Sequence, residues 1–175
     1  RDIKPANILM DNGVPKLSDF GLSTALGSII IPWKWYVYHA APETFVDNSI
    51  ATVQTDIYAI GITLYRMANN ISDWRLFLNS IPNAEKHMRS GKLIDKLPMA
   101  DYVPTKIQKI IKKACKKEPE KRYCTASEMR NAIERLRFLY DWRPIEQDHW
   151  KGINDGYPSR EVYIEKRRKA IEVVV

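Results

Sequence analysis

The chain has 175 residues, 45% of them hydrophobic and 28% charged, with a formal net charge of +7. That is ordinary globular usage for one domain with a sizeable core, and no run approaches the roughly 20 apolar residues needed to span a bilayer, so no membrane segment is expected. Cys115 and Cys124 are too few to build a disulfide framework or a zinc site; they are read as reduced, core-filling thiols of a cytoplasmic chain.

From Ile3 to Phe20 two short apolar runs, NILM and VPKLSDF, flank Asp11-Asn12-Gly13. Asn-Gly between apolar runs predicts a tight hairpin, because both turn residues tolerate positive φ. A loop centred on Asn12 and Gly13 pairs residues whose numbers sum to about 25, and it brings Asn7 and Asp19 to the open end. Leu22 to Ala40 has no sustained period and reads as an extended loop whose Trp33, Trp35, Tyr36 and Tyr38 need a surface to pack on; Ala41-Pro42-Glu43 closes it.

From Thr55 to Met67 the nearly continuous apolar run TDIYAIGITLYRM predicts a buried central helix, with Asp56 at its start and Gly61 inside. Weaker helices are expected at Trp74 to Leu78 and Asn83 to Ser90, and firmer ones at Pro104 to Lys117 and Thr125 to Tyr140. The last of these opens T-A-S-E, a capping-box pattern.

The positive charge is local: Lys86 to Arg122 holds about a dozen basic residues against about four acids. In PTKIQKIIKKACKK, Ile107, Ile110, Ile111, Ala114 and Cys115 share one helical face. Lys106, Lys109, Lys112, Lys113, Lys116 and Lys117 take the other. This is a solvated basic back rather than a nucleic-acid surface, since no arginine-aromatic interleaving accompanies it. After Tyr140 the texture changes: WRPIEQDHWKGINDGYPSR is rich in turn formers, and EVYIEK and AIEVVV read as strands around Arg167-Arg168-Lys169. Residues 141–175 are therefore expected to be a small β-containing extension after a mainly α domain over 1–140. The chain starts without Met and stops on an apolar strand pattern, so both ends are expected to be cuts.

The hairpin geometry carries the chemistry. An amide (Asn7) and a carboxylate (Asp19) meet at one end, with the carboxylate Asp2 and the ammonium Lys4 on the loop leading in. Two oxygen ligands beside a further carboxylate suit a hard cation such as Mg²⁺, and a lysine beside them supplies charge where phosphate would sit. Phosphoryl transfer relies on such positioning and electrostatics.

On these residues the chain resembles the large C-terminal lobe of a eukaryotic-like Ser/Thr protein kinase. R-D-I-K-P-A-N is similar to the catalytic loop H-R-D-x-K-P-x-N, S-D-F-G-L to the metal-binding motif, and A-P-E to the end of the activation segment. D-I-Y-A-I-G is similar to the start of the buried F helix and E-P-E-K-R-Y to the P-x-x-R signature before the last helix. The resemblance implies a fold and a set of roles. Asp2 would accept or orient the hydroxyl proton of a protein Ser or Thr, Lys4 would steady the γ-phosphate of ATP, and Asn7 and Asp19 would hold Mg²⁺, or Mn²⁺ in its place. Arg1 would receive a phosphorylated activation loop, Phe20 would pack, and Gly21 would permit the backbone turn. Glu43 would pair with Arg122, and Asp56 would bond backbone groups of the catalytic loop. The partners implied are a protein substrate and ATP, with no nucleic acid; the oligomeric state does not follow.

The sequence departs from the family pattern in the segment before Ala41-Pro42-Glu43. Where the family writes G-T-x-x-Y-x-A-P-E, Tyr36 stands in place of the Thr and His39 in place of the Tyr. His39 is read as a packing residue rather than a catalytic one. Ser23, Thr24 and Ser28 are the candidate loop phosphorylation sites. The Gly-rich loop, the strand lysine with its glutamate partner, and the adenine hinge are expected upstream of Arg1, so weak nucleotide binding and no turnover are expected of these residues alone. Two other classes compete: a kinase-derived scaffold, favoured by Tyr36 and His39, and a small-molecule phosphotransferase, disfavoured by Lys4, A-P-E and Arg122.

Overall fold

The structure, a computed structural model, describes residues 2–23, 37–46, 48–50, 52–146, 149–154, 156–167 and 170–174. It divides into two compact units, Arg1–Arg135 and Leu136–Val175. The first is a set of helices with a hairpin at its start; the second is one antiparallel sheet.

Strand β1 (Ile8–Asp11) and strand β2 (Val14–Leu17) pair antiparallel, Ile8 facing Leu17 and Asp11 facing Val14, in the register expected from the turn. Asn12 and Gly13 both take positive φ, 49° and 80°, the backbone of a two-residue turn whose twist matches the strands. Neither strand has a buried residue.

Helix α1 (Val53–Ala68) is the centre of the first unit. The Thr52 hydroxyl caps it by accepting from the Thr55 amide at 3.3 Å. Tyr58, Ile62 and Tyr65 on α1 pack with Trp74, Leu93 and Ile111 in the main core. Around it lie α2 (Trp74–Asn79), α3 (Ala84–Arg89), α4 (Leu93–Lys96), α5 (Thr105–Ala114) and α6 (Ala126–Glu134). Gly61 lets α1 approach α5: a Cβ there would stand 2.6 Å from Cys115 Sγ and 2.8 Å from Ala114 Cβ.

Two helices stop short of expectation. Helix α5 ends at Ala114 rather than Lys117. The Lys116 and Lys117 carbonyls accept instead from the Arg122 guanidinium, at 2.7 and 2.9 Å, and Pro119 could not have continued the ladder. Helix α6 ends at Glu134 rather than near Tyr140. Met129 is its only buried residue and Ile133 is already exposed, so beyond that point no core contact offsets the cost of helix. The division between units accordingly falls before Leu136, ahead of the expected boundary at 140. The capping box is skewed by one residue: Thr125 Oγ1 accepts from Glu128 N at 3.0 Å, while the Glu128 carboxylate reaches Cys124 N at 2.7 Å. Cys115 is buried as expected, but Cys124 is exposed, because it precedes this cap rather than lying on a packed face.

The second unit contains β3 (Asp141–Glu146), β4 (His149–Ile153), β5 (Arg160–Arg167) and β6 (Ala170–Val174), hydrogen-bonded in that order. The turn-rich texture of 141–153 is thus a hairpin. Pro144 is tolerated because β3 is an edge strand, and the register shifts between Pro144 and Glu146. Gly152 faces Trp142 across the ladder, where a Cβ would meet the indole at 3.1 Å. Lys151 and Glu161 sit directly opposite each other on β4 and β5, with an ion pair of 3.1 Å. No helix among the described residues is long and apolar enough to cross a membrane.

Candidate active site

The loop before β1 turns through a short 3₁₀ segment, Pro5–Asn7, with proline at its first position, where no amide proton is needed. The Asn7 amide closes it on the Lys4 carbonyl at 2.9 Å. This fold-back sets the side chains of residues 2, 4 and 7 together. Lys4 Nζ donates to Asp2 Oδ2 at 2.7 Å, and buried Asn7 donates from Nδ2 to the same oxygen at 3.1 Å and to the Asp2 carbonyl at 2.7 Å. The Asp2 carboxylate is thereby held by one charge-assisted bond and one amide bond, which fix its rotamer.

Asp19 lies just past β2, tied to Asn7 through Ser18, whose amide and hydroxyl both donate to the Asn7 carbonyl, at 2.8 and 3.0 Å. Asp19 has φ of +59°, a left-handed conformation that aspartate tolerates better than most residues and that is a mark of functional segments. Its Oδ1 accepts from the Gly21 amide at 3.2 Å. The unusual backbone turn therefore belongs to Asp19 and not to Gly21, whose φ is not positive; a Cβ on Gly21 would stand 3.2 Å from that same carboxylate oxygen. Phe20 was expected to pack, yet it is 66% exposed. The hairpin beside it likewise leaves its apolar residues Leu9, Met10, Val14 and Leu17 exposed.

The loop is held from behind at the Ile3 carbonyl, between Asp2 and Lys4. His39 Nδ1 lies 3.0 Å from it and Thr63 Oγ1 of α1 lies 3.4 Å from it. A carbonyl only accepts, so His39 carries its proton on Nδ1. Its Nε2 then accepts from Arg66 Nη1 at 3.1 Å. Burial, reinforced by the Arg66 guanidinium, lowers the His39 pKa to about 4, so the ring is neutral at pH 7. His39 is 3% exposed and meets Trp74 edge-on, with ring centroids 6.1 Å apart. Sequence reasoning found the packing half of this role and missed the polar half. The signal was Arg66 itself, a charge inside an apolar helical run, which cannot be buried without acceptors.

Glu43 lies in the short turn Pro42–Phe45 and grips Arg122 through two bonds of 2.7 Å. The Arg122 side chain is wholly buried, bonds the carbonyls of Gln54, Lys116 and Lys117, and stacks over Tyr58 at 5.0 Å. Asp56 lies half-buried in the first turn of α1. Arg1, Thr24, Ser28, Trp33, Trp35 and Tyr36 lie outside the described residues. Ser23 is exposed, its amide donating to the Phe20 carbonyl at 2.9 Å.

Comparison with known proteins accords with this arrangement: the protein kinase domain family matches residues 1–133. The chain belongs to the protein kinase family. It is 35% identical over 143 residues to the serine/threonine-protein kinase PrkC of Bacillus subtilis, covering 77% of this chain and 21% of that protein. A probable serine/threonine-protein kinase of Clostridium perfringens is 30% identical over 142 residues, covering 78% and 20%. The serine/threonine-protein kinase PknB of Mycolicibacterium smegmatis is 29% identical over 148 residues, covering 78% and 22%. The chain therefore spans about a fifth of the length of these kinase relatives. Among the described residues no group of three or more His, Cys, Asp and Glu side chains gathers as a metal cluster. A kinase-type site needs none, since an amide oxygen and one carboxylate complete their shell with water and phosphate.

Proposed function

We propose that this chain is the catalytic large lobe of a Ser/Thr protein kinase followed by a small β-sheet appendage, the lobe ending near Arg135. Its reaction would be transfer of the ATP γ-phosphate to a protein Ser or Thr hydroxyl. The observation that carries the reading is the Asp2, Lys4 and Asn7 cluster on one fold of the loop, with Asp19 tied to it through Ser18.

The chemistry follows from the donors. Asp2 is an acceptor-only carboxylate whose orientation Lys4 and Asn7 hold, so it can take the proton of an incoming hydroxyl as the oxygen attacks phosphorus. Lys4 brings an ammonium next to that point, where phosphate charge develops. Asn7 turns its amide nitrogen to Asp2, leaving its oxygen as the donor for a cation, and Asp19 adds a carboxylate. Hard oxygens of this kind fit Mg²⁺, and Mn²⁺ in its place. When bound, the cation neutralises the charge of the phosphates. The exposed apolar residues of the hairpin, Leu9, Met10, Val14 and Leu17, fit a surface that the nucleotide and the upstream part of a kinase would cover.

Mg-ATP phosphoryl transfer to a protein substrate, assayed with the upstream residues joined to this chain, tests the reading. Asp2→Asn should lower the rate about 10²- to 10⁴-fold with the fold unchanged by circular dichroism. Full activity in Asp2→Asn would refute the assignment, and a folded wild type without transfer would favour the scaffold reading that Tyr36 and His39 suggested.

A further inference from the structure

An open groove of about 330 Å³ lies between the end of α1 and the start of α5. Its lining includes Leu64, Met67 and Ala68 of α1 with Tyr102, Val103 and Ile107, and every lining side chain is apolar or aromatic. We propose that this groove and the lysine face of α5 beside it form a docking surface for an anionic lipid membrane, which the chain meets without crossing. The proposal is independent of the phosphoryl-transfer reading.

From Leu97 to Lys117 the chain has six lysines and one acid, Asp101. Lys113 is paired with Glu128 at 2.8 Å. The other five, Lys106, Lys109, Lys112, Lys116 and Lys117, are exposed and make no ion pair among the described residues. An α-helix turns about 100° per residue, so Lys106, the neighbour of Ile107, stands at the flank of the groove, and Lys109 continues that row three residues on. The rim of the groove is apolar and open: Met67 is 64% exposed and Tyr102 68%. Large apolar side chains left in water beside unpaired positive charge are the two halves of an interfacial binding surface.

The kind of cation selects the partner. Lysine is the only basic residue from Ser90 to Lys121. A docked acidic protein is gripped best by arginine, whose planar fork pairs with a carboxylate through two bonds, and protein interfaces are poor in lysine. An anionic bilayer asks for no such fork: it attracts each lysine as a point charge, worth about fivefold in binding apiece. Lysine stems lie along apolar surface while their ammonium groups stay at headgroup level. Tyr102 suits the same depth, since tyrosine rings settle at membrane–water interfaces, and Met67 offers a flexible apolar side chain to the acyl boundary.

The test is cosedimentation of the chain with large unilamellar vesicles, of phosphatidylcholine alone or with roughly 30% phosphatidylserine. Binding should require phosphatidylserine and should weaken as salt rises. Lys106→Glu with Lys109→Glu should lower it about 25-fold or more with an unchanged circular dichroism spectrum, and Lys106→Gln with Lys109→Gln serves if the reversal perturbs folding. Arg130→Glu with Arg143→Glu, the same change of net charge at exposed positions of α6 and β3, should leave most of the binding intact. Met67→Ser with Tyr102→Ser should lower it about tenfold, through the lost apolar contact. No binding to phosphatidylserine vesicles, equal binding to both compositions, or equal losses in the lysine and arginine reversals would overturn the proposal, as would vesicle binding indifferent to the Met67 and Tyr102 changes. Tighter binding to soluble polyglutamate than to vesicles would assign the face to an acidic protein and overturn the lipid.

Discussion

Nine of the sixteen residues of α1 are buried, whereas neither four-residue strand of the β1–β2 hairpin buries any. The helix is held by packing: Ile57, Ile62 and Tyr65 are fully buried, and α5 presses against Gly61. The hairpin and its loop are held by a few polar bonds, to the Ile3 carbonyl from His39 and Thr63 and between Asn7 and Ser18. The difference assigns labour. Apolar packing supplies the stability, and the edge proposed to carry the chemistry hangs from it by directional bonds that set geometry at little cost in exposed core.

The strongest way to break that contrast is to remove the buried polar pin of the core. Arg122→Ala leaves Glu43 and three backbone carbonyls without their donor, and should cost about 3–5 kcal/mol in urea unfolding. A loss below about 1 kcal/mol would show that the pair is no more than a surface bridge.

The next largest effect comes from the pin of the loop. His39 has a folded pKa of about 4 against 6.5 unperturbed, so between these values the unfolded chain binds the extra proton and the folded chain does not. Stability should therefore be unaffected by this residue above about pH 6.5 and should fall as pH drops, by up to about 3 kcal/mol near pH 4. In His39→Gln, whose amide can donate to Ile3 and accept from Arg66 without titrating, that part of the acid dependence should vanish. An identical acid limb in both proteins would contradict the assignment. A smaller effect is expected at the helix crossing: Gly61→Ala should destabilise by about 1–2 kcal/mol, the overpacking against Cys115 and Ala114 exceeding the gain in helix propensity. Stabilisation in thermal unfolding would show that α5 yields.

Legibility follows the same division. The hairpin register was readable from Asn12-Gly13 because a local turn rule determines it, and α1 was readable because its apolar run is long. The acidic, amide and basic residues of the loop were readable as a motif, although their mutual bonds came only with the fold. What escaped the sequence depended on distant partners. The polar role of His39 needs Ile3 and Arg66, far apart in the chain. The early ends of α5 and α6 depend on where Arg122 and the core lie, and the β3–β4 hairpin hides behind a proline that only an edge strand permits. The exposure of Phe20 and the positive φ of Asp19 were not legible either, because a motif names residue types and leaves their backbone angles and cover to the fold.

Amide hydrogen exchange of the chain at neutral pH tests the central claim most directly. The interior amides of α1, around Ile62 and Tyr65, should exchange only through global unfolding, with denaturant dependence to match. The ladder amides of β1 and β2 should exchange faster, through local opening that denaturant barely affects. Hairpin amides as protected as those of α1, with the same denaturant slope, would show that the β1–β2 edge is part of the packed core and contradict the account.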